Sequence, residues 1–303
     1  MNGGSHLYAS LANFQKVGNS DRETMIKSIR HDLATMLKNS EDFSFLSKQI
    51  PSTKMQYRTL MWNILLGLGE IDEHEGDKYI TAYHYLSTTD QKKLLGELTR
   101  ITNAQKLDSV KTDYQAYCSF LVLLAGFLSQ SGSQYPLHQP LLTFGQVFLQ
   151  TYTYPLAFFA FRQFVNHYAP HCFPRKGEKT VQTGPSQLAV QIAYEFDPTL
   201  KEIFGRLCPE YGFSFSHISS FFTQMKQTDQ VSIVFDFLFA YGAFMVIFIE
   251  AGWMYINRDT DIKNNLILAS SMPDALVVIR QAVKILASTS PENIAKAKAF
   301  YTV

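Results

Sequence analysis

Cysteine is scarce in this chain of 303 residues: Cys118, Cys172 and Cys208 are the three, and no two form a CxxC pair. An odd count without paired spacing excludes a disulfide scaffold and fits free thiols in a reducing, intracellular compartment. Charge of one sign is lacking too. The 27 Lys and Arg stand against 26 Asp and Glu, a formal net charge of +1. No basic stripe offers itself to a phosphate backbone, so nucleic acid is not an expected partner. Alternation of period two is scarce, which argues against a β-sheet. The N-terminus has no basic region followed by an apolar run, so no secretory address is read. What is present is apolar. The composition is 46% hydrophobic, 14% aromatic and 17% charged, which suits a large core and not a disordered tail.

Several enzymatic signatures are also missing. The glycines between Leu66 and Gly76 lack the GxxxxGK[ST] spacing of a phosphate loop. Counted as a calcium loop from Asp72, the same stretch puts Gly76 fifth and Tyr83 twelfth, where a sixth-position glycine and a bidentate Glu are required. His167 and His171 are four apart beside Cys172, but Pro170 breaks the helix that would present both rings to zinc. No GxSxG elbow occurs. No resident metal or cofactor is expected.

One apolar run is long enough to span a membrane of about 30 Å, Val231–Ile256. Asp236 and Glu250 interrupt it, each at a cost of up to about 2.5 to 3.5 kcal/mol in lipid, and Gly242 and Gly252 weaken it as a helix. A buried helix pair in a soluble protein, without stable membrane insertion, is the better reading.

Helical periodicity dominates the rest. Met25, Ile26, Ile29, Leu33 and Leu37 form one stripe behind an N-cap at Ser20 or Asp21. Helices are expected over Lys54–Leu68 with a glycine stop, Asp90–Arg100, and Leu107–Leu128. Leu141–Tyr168 contains Pro155 and so should kink or split. Pro170–Pro185 is the longest loop signal. Further helices are expected over Gln187–Tyr194, Asp197–Cys208 with Asp as cap and Pro at the first position, Phe215–Gln224, Pro273–Thr289 and Pro291–Tyr301. The expected fold class is all-α. Residues 1–20 read as a flexible extension, and 21–302 as one domain with lobes at about 21–130 and 140–302.

Four stretches then fall in a telling order. Arg58-Thr-Leu-Met-Trp62 puts a guanidinium and an indole on one helix face, where Arg can stack or pair with a carboxylate. On its own this is equally an ordinary buried Trp. Leu94-Leu-Gly-Glu97-Leu-Thr-Arg100 spaces an acid and an Arg as a surface ion pair would be spaced. Tyr114-Gln115-Ala-Tyr117-Cys118-Ser119-Phe120 leads into an apolar helix. Asp229-Gln-Val-Ser-Ile-Val-Phe-Asp236-Phe-Leu-Phe-Ala-Tyr-Gly242 closes the set, preceded by Phe196-Asp-Pro-Thr-Leu200.

Together these resemble the TBC domain, the Rab-type GTPase-activating family, over about Arg22 to Thr302. The first stretch resembles its RxxxW signature, and the second its IxxDxxR motif with Glu97 in place of Asp. The last resembles its WD-and-glycine signature with Phe235 in place of Trp. In look the chain is most similar to the mitotic-exit and septation checkpoint GAP subunits of yeasts.

The resemblance implies a two-lobed helical GAP that binds the switch face of a Rab-like small GTPase. Arg100 would be the finger held by Glu97, Gln115 would help place water, and Asp236 would be a structural carboxylate. A finger supplied in trans is worth about 10³ to 10⁵ in rate, because it meets charge spread over the transferring phosphate. GTP and magnesium would belong to the partner, a GAP scaffold subunit would be a second partner, and the location would be cytoplasmic. The family's YxQGxN motif is altered here. In one register Tyr117 aligns and the Gln position holds another residue; in the other Tyr114 aligns and Gln115 comes one residue early, with no Gly or Asn after it. That departure implies the alternative, a catalytically impaired pseudo-GAP acting as a GTPase-binding or scaffold module.

Overall fold

The periodic apolar stripes become helices that share one core. The structure is a computed structural model. It describes residues 7, 11, 21–50, 55–68, 74–84, 87–89, 91–92, 96, 114–130, 139–168, 183–205, 212–225, 227–260 and 271–301. Among these the fold is all-α, with no strand and one isolated bridge between Gln49 and Gln56. The helices are α1 (Arg22–Lys38), α2 (Tyr57–Leu66), α3 (Glu75–His84), α4 (Tyr114–Gln130), α5 (Gln139–Thr151) and α6 (Leu156–Gln163). After them come α7 (Thr183–Phe196), α8 (Thr199–Phe204), α9 (Gly212–Ser220), α10 (Thr228–Tyr241), α11 (Met245–Ile256), α12 (Ala275–Ser288) and α13 (Pro291–Ala299). The helix expected over Asp90–Arg100 falls almost wholly outside the described residues, as do most of the Pro170–Pro185 loop and residues 107–113.

Local chemistry explains most of the ends. Gly67, at φ 67°, stops α2 in the left-handed conformation that a Cβ disfavours. Pro155 splits the expected long helix into α5 and α6, which runs on into a π turn over Phe164–Tyr168. The Asp274 carboxylate caps α12 by accepting from the amides of Leu276 and Val277, and Ser290 caps α13 ahead of Pro291. Asp21 sits at the N-cap of α1, yet its side chain makes no cap bond. The Asp197 carboxylate accepts from the Thr199 amide at 3.0 Å and its hydroxyl at 2.7 Å, so the first turn of α8 starts a residue later than Asp-Pro suggested. Helix α9 ends early because Phe221 and Phe222 turn to φ 49° and 64°, and both rings are fully buried.

The buried side chains make a single continuous apolar cluster that runs from Leu7 and Leu11 to Tyr301. Its centre is phenylalanine. Phe144, Phe148, Phe161, Phe164, Phe235 and Phe239 meet mostly at ring separations of 5.5 to 6.3 Å. Such pairs contribute about 0.5 to 1.5 kcal/mol each beyond their burial. The apolar run splits at Gly242, φ 111°, into α10 and α11, and no helix among the described residues is long and apolar enough to cross a membrane. Asp236 and Glu250 are both 0% exposed, so the two charges of that run are satisfied inside the protein.

Candidate functional site

Four residues apart on α2, Arg58 and Trp62 point the same way, and α10 brings Asp236 to meet them from 178 and 174 positions along the chain. The Arg58 Nε donates to Asp236 Oδ1 at 3.0 Å and its second nitrogen to Oδ2 at 3.1 Å, the planar fork-to-carboxylate arrangement. Trp62 Nε1 donates to Asp236 Oδ1 at 2.7 Å. The other Arg58 terminal nitrogen donates to Ser47 Oγ at 2.8 Å. Burial pushes the Asp236 carboxyl above its usual range, while the Arg58 charge and the bonds from Arg58 and Trp62 pull it back. The cluster sits under a ring nest of Phe148, Tyr152, Phe235 and Phe239 around the indole.

Neighbouring bonds fasten these two helices to each other and to α1. Arg22 donates to the carbonyls of Ile64 and Leu65 at the end of α2, both at 3.1 Å. The Tyr168 hydroxyl bridges the carbonyls of Leu65 on α2 and Phe239 on α10. Arg30 donates to the Ala240 carbonyl, and the Tyr241 hydroxyl donates back to the Arg30 carbonyl at 2.9 Å. Chemically, the buried Arg58–Asp236–Trp62 cluster is a structural clamp. Its charges are paired and shut from solvent, so no substrate reaches them.

The other sequence candidates fall differently. Arg100 and Glu97 lie outside the described residues. The backbone of Gln115 is in the first turn of α4, and its side chain also lies outside what is described. Gly242 ends α10 six residues beyond Asp236. The structure therefore brings Arg58, Trp62 and Asp236 together. His167 is exposed, and no group of three or more His, Cys, Asp or Glu side chains that could hold a metal occurs among the described residues.

A second buried polar group forms around Glu250, with partners that the sequence does not point to. Ser214 Oγ donates to Glu250 Oε1 at 2.7 Å, and His217 Nδ1 lies 2.9 Å from Glu250 Oε2, with its ring edge-on to Trp253 at 4.7 Å. The residue types are those of a nucleophile, a base and an acid, but the serine bonds to the carboxylate and not to the imidazole. All three side chains are buried. The arrangement seats α9 on α11 and does no nucleophilic chemistry. Its sequence signals are the Ser-x-x-His spacing and a carboxylate, Glu250, inside an apolar run. A third pair joins α6 to α3: Arg162 bonds Glu75 through both terminal nitrogens and the Tyr79 hydroxyl at 2.7 Å, with its guanidinium over the Phe159 ring.

Comparison of the chain with protein-family models and with curated proteins finds no match to either.

Proposed function

We propose that this chain is a two-lobed TBC-type helical domain that activates a Rab-like small GTPase by binding its switch face and supplying Arg100 as a finger. One observation carries the reading: Arg58 and Trp62 from one motif, and Asp236 from another far along the chain, form a single hydrogen-bonded cluster. Motif residues that serve one fold should meet in space, and unrelated matches have no reason to. Arg100 would meet negative charge on the transferring phosphate, and Gln115 would assist the attacking water. The checkpoint-subunit likeness adds a GAP scaffold subunit as a second partner and a role in mitotic exit or septation.

Single-turnover GTP hydrolysis across a panel of small GTPases tests this. Acceleration is expected with at least one member, and Arg100→Ala should remove about 10³-fold or more of it. A chain that binds a GTP-loaded member yet accelerates none would overturn the catalytic reading. The altered stretch Tyr114-Gln115-Ala-Tyr117, which has no Gly-x-Asn after its Gln, favours that second reading of a pseudo-GAP that binds or scaffolds. Absence of binding in either nucleotide state would sink both.

A further inference from the structure

Away from the clamp, a cavity of about 590 Å³ opens between the end of α1, the α10–α11 junction and α12. That volume suits one small ligand, for which sites run from about 300 to 1,000 Å³. Its surface is mostly apolar: Phe237 and Tyr241 stack in parallel at 5.8 Å, and Met245 and Val283 are among the other apolar side chains that line it. Val283 is 40% exposed, an aliphatic side chain open to water at this site.

Three cations, Lys38, Arg280 and Lys284, also line it, and no carboxylate does among the described residues. They lie near one another. Arg280 Nε donates to the Leu37 carbonyl at 3.1 Å, one residue before Lys38, and Lys284 follows Arg280 by a turn of α12. Lys38 and Lys284 are exposed, and neither is in an ion pair among the described residues. An apolar chamber that three cations also line, with no anion among its described residues, matches a ligand of opposite polarity: one alkyl chain with a negative head. A cationic amphiphile would be repelled there, and a neutral chain would leave the charges unused.

We propose that this cavity binds a carboxylate-headed, single-chain amphiphile of the fatty-acid class. The chain lies against Phe237, Tyr241, Met245 and Val283, and the head sits among Arg280, Lys38 and Lys284. The proposal does not depend on the GTPase reading.

Isothermal titration of the full chain with sodium decanoate below its micellar concentration is the test, with 1-decanol as the headless control. Saturable binding of one decanoate per chain is expected, about tenfold tighter than 1-decanol. The double variant Lys38→Glu/Lys284→Glu should weaken decanoate by about tenfold or more, since it reverses two exposed charges. Val283→Trp should block the chamber. Both changes are at exposed positions, and matching far-UV circular dichroism would confirm that each variant folds. Absent or unsaturable binding, equal binding of 1-decanol, or unchanged affinity in both variants would overturn the proposal. So would co-sedimentation with phosphatidylserine vesicles without decanoate binding, which would assign this face to a membrane surface.

Discussion

With its carboxylate wholly shut from water, Asp236 rests on the guanidinium of Arg58 and the indole of Trp62. Removing one partner of such a pair leaves an uncompensated buried charge, which costs about 3 to 5 kcal/mol. Arg58→Met should therefore lose about that much stability to urea at pH 7.5. The sign with pH follows from the carboxyl. Burial already raises its pKa, and loss of the Arg58 charge raises it further. The folded variant then holds the proton more tightly than the unfolded chain does, so its stability falls as pH climbs from the ordinary carboxyl value of 3.8 through the raised one. The deficit against the parent should be smaller at pH 5 than at pH 7.5; equal deficits would show that Asp236 is not the charge left exposed to the loss. Part of this cluster was legible beforehand, because helical spacing alone puts Arg58 and Trp62 on one face. The pairing was not legible from spacing, since no local pattern links residues 178 positions apart: the apolar run marked Asp236 as a buried carboxylate and the likeness to a family marked it as structural, but neither named its partners. Glu250 stood out in the same run, but nothing pointed to Ser214 and His217 as its partners. Their meeting depends on how α9 packs on α11, which one sequence does not print.

Helices were readable where apolar periodicity was strong and a stop residue stood at the end. Helix α12 starts at Ala275 behind an Asp274 cap and not at Pro273, whereas helix α1, the division at Pro155 and the start of α13 at Pro291 follow from local chemistry. The end of α9 did not, because Phe221 and Phe222 adopt a backbone that favours glycine, held by rings sunk in the core. Crossing contacts were also hidden. In the sequence Gly252 looks like a weak point of its helix, whereas in the structure it lets α11 touch α12: a Cβ there would lie 2.8 Å from the Val278 carbonyl oxygen and 3.0 Å from the Ala282 nitrogen. Both obstacles are backbone, so neither gives way by a rotamer change. Alanine would gain about 1 kcal/mol in helix propensity, but forcing the helices apart costs about 1 to 3 kcal/mol or more. Gly252→Ala is expected to lower the urea midpoint; a midpoint equal to or above the parent's would mean that α11 and α12 separate freely.

At the scale of the molecule, the two halves on either side of residues 131–138 are bound by more than adjacency. Helix α10, from the second half, packs on α1 and α2 from the first, and the Arg58–Asp236 pair, the Arg30 and Tyr241 bonds and the Arg280 bond to Leu37 all cross the division. The apolar cluster is continuous across it as well. Unfolding either half alone would expose the other's face and strand Asp236 or Arg58 without a partner, so partial unfolding is penalised by the same terms that hold the whole together. The two tryptophans report on separate places, Trp62 on α2 and Trp253 on α11, and both are buried. Urea unfolding followed by Trp fluorescence and by far-UV circular dichroism should therefore give coincident curves, the mark of a single cooperative transition. Trp253→Phe, which leaves Trp62 as the reporter, should still give a fluorescence midpoint equal to its own dichroism midpoint. Curves that separate would show that the first half unfolds independently of the second, and the clamp between α2 and α10 would then be too weak to couple them.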